Sequence, residues 1–301
     1  MNNYQPERKV KIRKELECAY DIFGSDHSIP VILIMGLGCQ MIDWEDDFCF
    51  SLASQGFKVI RFDNRDIGHS THLRGIGTPK LLTLLKNMAA AEPVTVPYQL
   101  DDMAEDVILL LDALEIEKAH VVGASMGGMI TQLLTIRYEE RIASATIIMS
   151  TAGNSLNPPP SEEARSVLWT PLPLQKEGFI KQTVLNAGIL SGSGYPIDEL
   201  ETAIHAARLF ERGLHPAGFV RQYAAILASK NRGESLRSVA VPTLVIHGDE
   251  DPLVPVENGI GIAAAIPDSR LEIIKGMGHD LPKEAWPTMI KEISEHIGNS
   301  V

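Results

Sequence analysis

The sequence predicts an α/β fold: an open, mostly parallel sheet with an antiparallel start, helices on both faces and an inserted helical segment. Three observations predict it. Short, uninterrupted apolar runs rich in β-branched residues recur along the chain, helix-period patterns lie between them, and one long stretch of the second half has no such run.

The elements follow in order. Apolar residues alternate at Val10 and Ile12 and again at Leu16, Cys18, Tyr20 and Ile22, a period of two that predicts a half-buried antiparallel pair. Val31-Ile32-Leu33-Ile34-Met35 then runs without a polar residue and stops at Gly36-Leu37-Gly38, as a strand buried on both faces does. Similar runs stand at Val59-Ile60-Arg61-Phe62, His120-Val121-Val122-Gly123, Ala145-Thr146-Ile147-Ile148-Met149, Thr243-Leu244-Val245-Ile246 and Leu271-Glu272-Ile273-Ile274. Leu100, Met103, Val107, Leu110, Leu111 and Leu114 recur at three and four and predict a helix. So do Trp286, Ile290, Ile293 and Ile297, in a last helix starting near Lys283 after Pro282. A Leu-rich helical segment, Lys80-Leu81-Leu82-Thr83-Leu84-Leu85, lies within residues 73–97. Residues 154–237 carry helical patterns near 179–190, 197–210 and 219–228, divided by Ser191-Gly192-Ser193-Gly194, which reads as flexible. Residues 1–153 and 238–301 are therefore expected to form the core, and 154–237 a helical cap inserted between two strands.

Composition removes several classes. With 301 residues, 45% hydrophobic and 22% charged, the chain can bury a sizeable core without metal or disulfide staples. Its net charge of -12, from 27 basic and 39 acidic side chains, argues against binding a nucleic-acid backbone. Cys18, Cys39 and Cys49 have no Cys-x-x-Cys spacing and read as reduced thiols of a cytoplasmic protein. Residues 1–8 lack the apolar run of a signal peptide, and no uncharged apolar stretch reaches the roughly 18 residues of a membrane helix.

The strand ending at Val122 runs into Gly123-Ala124-Ser125-Met126-Gly127-Gly128 and then into helical Met129-Ile130-Thr131-Gln132-Leu133-Leu134. The G-x-S-x-G pattern alone is weak; a Gly-rich turn with an inert serine, or one that binds phosphate, has the same letters. Its context, strand to tight turn to helix, is informative: such a turn projects the serine hydroxyl above the sheet, and small flanking residues let strand and helix nearly touch. A serine nucleophile needs a base, and the base an orienting carboxylate. His247-Gly248-Asp249-Glu250-Asp251-Pro252 follows one late strand and Lys275-Gly276-Met277-Gly278-His279-Asp280 the next. Residues past the carboxyl ends of strands in an open α/β sheet converge on one crevice, so serine, acid and histidine arrive at one edge. Asp249 and Asp251 both qualify as the acid on this ground.

These residues resemble the α/β-hydrolase superfamily over nearly the whole chain, and within it bacterial esterases related to anthracycline methylesterases and metal-free haloperoxidases. The resemblance rests on the Ser125 motif, the Gly248-x-x-Asp251 turn with Val254-Pro255, Gly278-His279, and the loop Asp63-Asn64-Arg65-Asp66-Ile67-Gly68-His69-Ser70. It implies Ser125 as nucleophile, His279 as general base and then acid, and Asp251, three residues after the glycine, as the orienting carboxylate. It also implies an oxyanion hole made by the backbone N–H groups of Met126 and Leu37. The implied activity is hydrolysis of a small-to-medium apolar carboxylic ester through an acyl-enzyme, with a small-molecule substrate and no metal or organic cofactor. C–C bond hydrolases, lactonases and perhydrolases share this triad; a non-catalytic binding protein of the same fold is the rival from another class.

Two departures stand out. Relatives commonly carry His-Gly where this chain has Met35-Gly36, so whatever ties that loop down must be done differently here. Asp66 stands where relatives often have glycine. His247 and His120 read as packed histidines and His69 and His72 as solvated ones. Aromatic residues of the insertion, among them Trp169, Phe179, Phe219 and Tyr223, read first as its core, with some lining an apolar pocket.

Overall fold

The computed structural model describes residues 3–90, 92, 94–153 and 156–300. The chain opens with β1 (Tyr4–Arg13) and β2 (Leu16–Phe23), followed by β3 (Ile29–Ile34), α1 (Asp46–Ala53) and β4 (Phe57–Phe62). After α2 (Leu81–Ala89) and α3 (Leu100–Ala113) come β5 (Ala119–Ala124), α4 (Met126–Arg137) and β6 (Ile142–Ile148). Four helices, α5 (Glu162–Trp169), α6 (Lys176–Leu190), α7 (Glu199–Arg212) and α8 (Pro216–Ala228), and a short α9 (Gly233–Leu236) separate β6 from β7 (Thr243–Gly248). The chain closes with α10 (Glu257–Ala265), β8 (Arg270–Ile274) and α11 (Trp286–Gly298).

The strands form one eight-stranded sheet in the order β1-β2-β4-β3-β5-β6-β7-β8. β2 pairs antiparallel with β1 and with β4, and every later pairing is parallel. Period-two geometry sends alternate side chains to opposite faces. Ile32, Ile34, Val121 and Ile147 pack with α3, α4 and α10 on one face. Val31, Leu33, Val122 and Ile148 pack with α1 and α11 on the other. Both faces are covered, which is why the central strands are continuous apolar runs.

Two strand expectations are corrected. β2 is buried at every position except Glu17, because it lies between β1 and β4 with packing on both faces, so its alternation hides burial on both sides. β8 lies at the sheet edge, and its first residues, Arg270 and Leu271, are exposed. The helix α5 had no periodic signal; it is short and capped by Ser161 Oγ accepting the Ala164 N–H at 3.1 Å. A 3-10 turn, Lys283–Ala285, precedes the last helix.

The first residue of the expected insertion, Asn154, lies outside the described residues. At the other end, Arg232 is buried against Gln132 Oε1 of α4, and Leu236 joins the core layer under the sheet, so the chain rejoins the core through α9. Among the described residues no helix is long and apolar enough to cross a membrane.

Candidate active site

Ser125 sits alone between the end of β5 and the start of α4 with φ 55° and ψ −115°, a left-handed conformation that costs a non-glycine residue about 1–3 kcal/mol. Three hydrogen bonds fix it. Its N–H donates to the Ile148 carbonyl at 2.9 Å, and its own carbonyl accepts from Ser150 Oγ at 2.8 Å and from Met129 N–H at 3.2 Å. The flanking glycines are required by close approach. A Cβ on Gly123 would lie 2.2 Å from the Gly127 carbonyl oxygen, and one on Gly127 only 2.0 Å from that of Ile34. Strand and helix therefore nearly touch, and the hydroxyl is forced out at the carboxyl edge of the sheet.

The turn after β7 and the loop after β8 reach the same edge. His279 Nε2 lies 3.0 Å from Ser125 Oγ, and His279 Nδ1 lies 2.7 Å from Asp251 Oδ2. Asp251 Oδ1 accepts the N–H groups of Leu253 and Val254 at 2.9 and 2.7 Å, so the carboxylate has one fixed orientation. Burial opposes its ionisation, but the neighbouring His279, the hydrogen bonds from both histidines and the Val254 N–H outweigh that and hold its pKa well below the usual carboxylate range. With Asp251 ionised, the His279 tautomer protonated at Nδ1 can donate to it and turn Nε2 toward Ser125 Oγ. Asp249, the competing acid, is committed elsewhere: its Oδ1 accepts the Gly276 N–H at 2.6 Å and ties the acid turn to the histidine loop.

The loop after β3 lies beside the serine. A Cβ on Gly36 would come within 3.3 Å of Ser125 Cβ and 3.8 Å of its Oγ. Leu37 is the next residue, and Met126 follows Ser125 at the first position of α4, where the helix dipole favours negative charge. Met35 points into the core with Val31 and Leu33. The loop is tied instead by Asn64 Nδ2, which donates to the Met35 carbonyl at 3.0 Å, and by Gln222 Oε1, which accepts the Gly38 N–H at 2.9 Å. Asp66 takes a φ of 72°, the conformation for which glycine is the easy choice. Its carboxylate accepts two bonds from Arg221 of α8, at 2.8 and 2.7 Å, and one from Leu73 N–H, also at 2.7 Å.

The Ser191-Gly192-Ser193-Gly194 turn corrects the expectation of flexibility. The His279 N–H donates to the Leu190 carbonyl at 2.7 Å and the Gly194 N–H to that of Gly276 at 3.0 Å. Ser193 donates through both N–H and Oγ to the Glu250 carboxylate, at 2.6 and 2.8 Å. The glycines are there for contact between two backbones.

Of the remaining histidines, His120 and His247 are packed as the sequence implied, whereas His69 and His72, expected to be solvated, are half-buried and partnered. His120 bonds Ser144 Oγ at 2.7 Å, away from the serine. His69 pairs with Glu7 at 2.5 Å, and His72 reaches the Gly68 carbonyl at 2.8 Å while stacking on His215. His247 is packed, yet its Nε2, 2.7 Å from the Val254 carbonyl, also stands 3.4 Å from Asp251 Oδ2 and so braces the acid turn from below. Asp280, beside the histidine, went unmarked in the sequence; burial pushes its pKa up to about 6. Phe179 packs into a small cluster with Met41, Ile42 and Leu209. Phe219 leans on Gly38, and Tyr223 lies edge-on to Trp169.

The chain as a whole is similar to known proteins. Rhodomycin D methylesterase of Streptomyces peucetius is 28% identical over 299 residues, covering 91% of this chain and 92% of the relative. The 2-hydroxymuconate semialdehyde hydrolase of a Pseudomonas species is 29% identical over 287 residues, covering 91% and 89%. The solved 2-hydroxy-6-oxo-6-phenylhexa-2,4-dienoate hydrolase of a Rhodococcus species superposes with a TM-score of 0.75 at 19% identity, covering 99% of this chain and all of that one. The family model for the alpha/beta hydrolase fold matches residues 29–194, from the first parallel strand through the serine elbow to the Gly192 turn, and the chain belongs to that family.

Proposed function

We propose that the protein is a serine hydrolase of carboxylic esters, with Ser125 as nucleophile, His279 as base and acid, and Asp251 as orienting carboxylate. The observation that carries this reading is the unbroken series of hydrogen bonds from Ser125 Oγ through His279 to a carboxylate kept ionised. Ser125 Oγ attacks the ester carbonyl while its proton passes to His279 Nε2. The oxyanion of the tetrahedral intermediate is held by the Leu37 and Met126 N–H groups. The intermediate collapses, the alcohol leaves with the His279 proton, and water attacks the acyl-enzyme by the same route to release the acid and free Ser125. Residues 154–237 serve as a cap on the core of residues 1–153 and 238–301, and its aromatic residues, Phe219 against Gly38 and Tyr223 against Trp169, favour a small-to-medium apolar ester. Similarity to a methylesterase supports ester chemistry. Similarity to a semialdehyde hydrolase supports C–C bond hydrolysis as the second reading.

The test is hydrolysis of p-nitrophenyl esters from acetate to decanoate by wild type and Ser125→Ala. Turnover with a chain-length optimum, lost on the order of 10⁶-fold in the folded variant, is expected. Retention of a tenth of the activity would put the nucleophile elsewhere. If no ester turns over, a fluorophosphonate that labels Ser125 and cleavage of a meta-cleavage dienoate would select the C–C reading; absence of labelling would leave a binding protein.

A further inference from the structure

Gln222 belongs to α8, outside the sheet and far in sequence from the loops it touches, yet it is fully buried (0% exposed). Its amide spans two of those loops. Oε1 accepts the Gly38 N–H and Nε2 donates to the Arg65 carbonyl, both at 2.9 Å. This polarity admits no exchange of ends, since a flipped amide would set N–H against N–H and carbonyl against carbonyl.

Gly38 immediately follows Leu37, at φ 70°. Leu37 Cα joins two peptide planes, and each is held. The Gly36 carbonyl, in the plane that carries the Leu37 N–H, accepts from Cys39 N–H at 3.3 Å, and the next plane is held through the Gly38 N–H by Gln222. Phe219, one turn back on α8, closes the other side; a Cβ on Gly38 would lie 2.5 Å from its ring. Met35 has no polar side chain with which to tie the loop from within. α8 is itself anchored at the adjacent residue, where buried Arg221 grips buried Asp66 at both carboxylate oxygens.

We infer that Gln222 is the positioning residue that sets the Leu37 N–H for oxyanion binding, so that the inserted helices complete the catalytic geometry as well as covering it. The inference rests on the serine-hydrolase reading. Removing an oxyanion donor outright costs about 10²–10³ in kcat, and displacing one acts in the same direction.

The test compares wild type, Gln222→Met, which keeps the length and loses both bonds, and Gln222→Glu, which keeps the acceptor for Gly38. Each is assayed on p-nitrophenyl butyrate, with active sites counted by fluorophosphonate titration so that misfolded protein does not enter kcat. Affinity for an alkyl trifluoromethyl ketone, whose serine adduct carries the oxyanion, is measured alongside. Gln222→Met should lower kcat per titrated site about 10²-fold and weaken the ketone by a similar factor, with KM within about twofold. Gln222→Glu should recover at least about a tenth of wild-type kcat. Unchanged kcat in Gln222→Met, a loss of kcat without loss of ketone affinity, or equal damage in both variants would overturn the inference. Wild type without Ser125-dependent turnover would instead sink the function reading and this inference with it.

Discussion

Gly192 of the inserted segment and Gly278 beside His279 are in backbone contact: a Cβ on Gly278 would lie 2.4 Å from Gly192 N and 2.2 Å from the Leu190 carbonyl oxygen. The His279 N–H donates to that same carbonyl. A side chain at 278 must therefore push the histidine loop and the inserted helices apart. Gly278→Ala is expected to fold and to lose about 10²-fold in kcat, since a displacement near 1 Å at a catalytic group has that scale. Rates per titrated active site provide the check; wild-type kcat would mean that the contact does not set the histidine.

Asp251 and Asp249 are separated by their partners. Asp251→Asn disturbs the His279 tautomer and should cost about 10⁴ in kcat. Asp249→Asn retains an oxygen to accept the Gly276 N–H and should cost less than about tenfold, the loss of one charge-assisted bond. Steady-state kinetics on one ester ranks them, and the reverse order would move the acid.

Arg221 and Asp66 form a buried bidentate pair linking α8 to the loop after β4. Arg221→Met strands the Asp66 charge and should lower unfolding free energy by about 3–5 kcal/mol. Adding Asp66→Gly removes that charge and relieves the positive φ, so the double variant should recover most of the loss. Urea denaturation of the single and double variants measures both.

Asp280 makes stability pH-dependent in the unusual direction. Burial raises its pKa from 3.8 to about 6 in the folded chain. The native state therefore holds the proton more tightly than the unfolded chain, and stability falls as pH rises from about 4 to 6. The full penalty, about 3 kcal/mol, is present above 6 and absent below 3.8. Asp280→Asn should raise Tm by several degrees at pH 7.5 and leave it nearly unchanged at pH 4. A Tm difference independent of pH would show that Asp280 does not titrate in this range.

The central strands were legible in sequence because a strand buried on both faces must be apolar at successive positions, as Val31 to Met35 are. The serine elbow was legible because Gly123, Gly127 and Gly128 are forced by contacts between neighbouring segments. The order of Ser125, acid and His279 was legible because strand ends converge on one edge. The geometry of that edge was not. Period two in β2 could not tell one covered face from two, and the run at Leu271 could not tell an edge strand from a central one. Convergence on the edge did not separate Asp249 from Asp251; the Gly248-x-x-Asp251 motif favoured Asp251, and the folded chain gives Asp249 to Gly276 and Asp251 to His279. Ser191-Gly192-Ser193-Gly194 has the composition of a flexible linker, and only the approach of Gly276 and Gly278 makes it a hydrogen-bonded backbone contact. Gln222 carried no signal at all. Its partners Gly38 and Arg65 lie more than 150 positions away. Local propensity sets elements and turns, while the partner of a buried polar group is chosen by which distant segments the packed core brings within hydrogen-bonding distance.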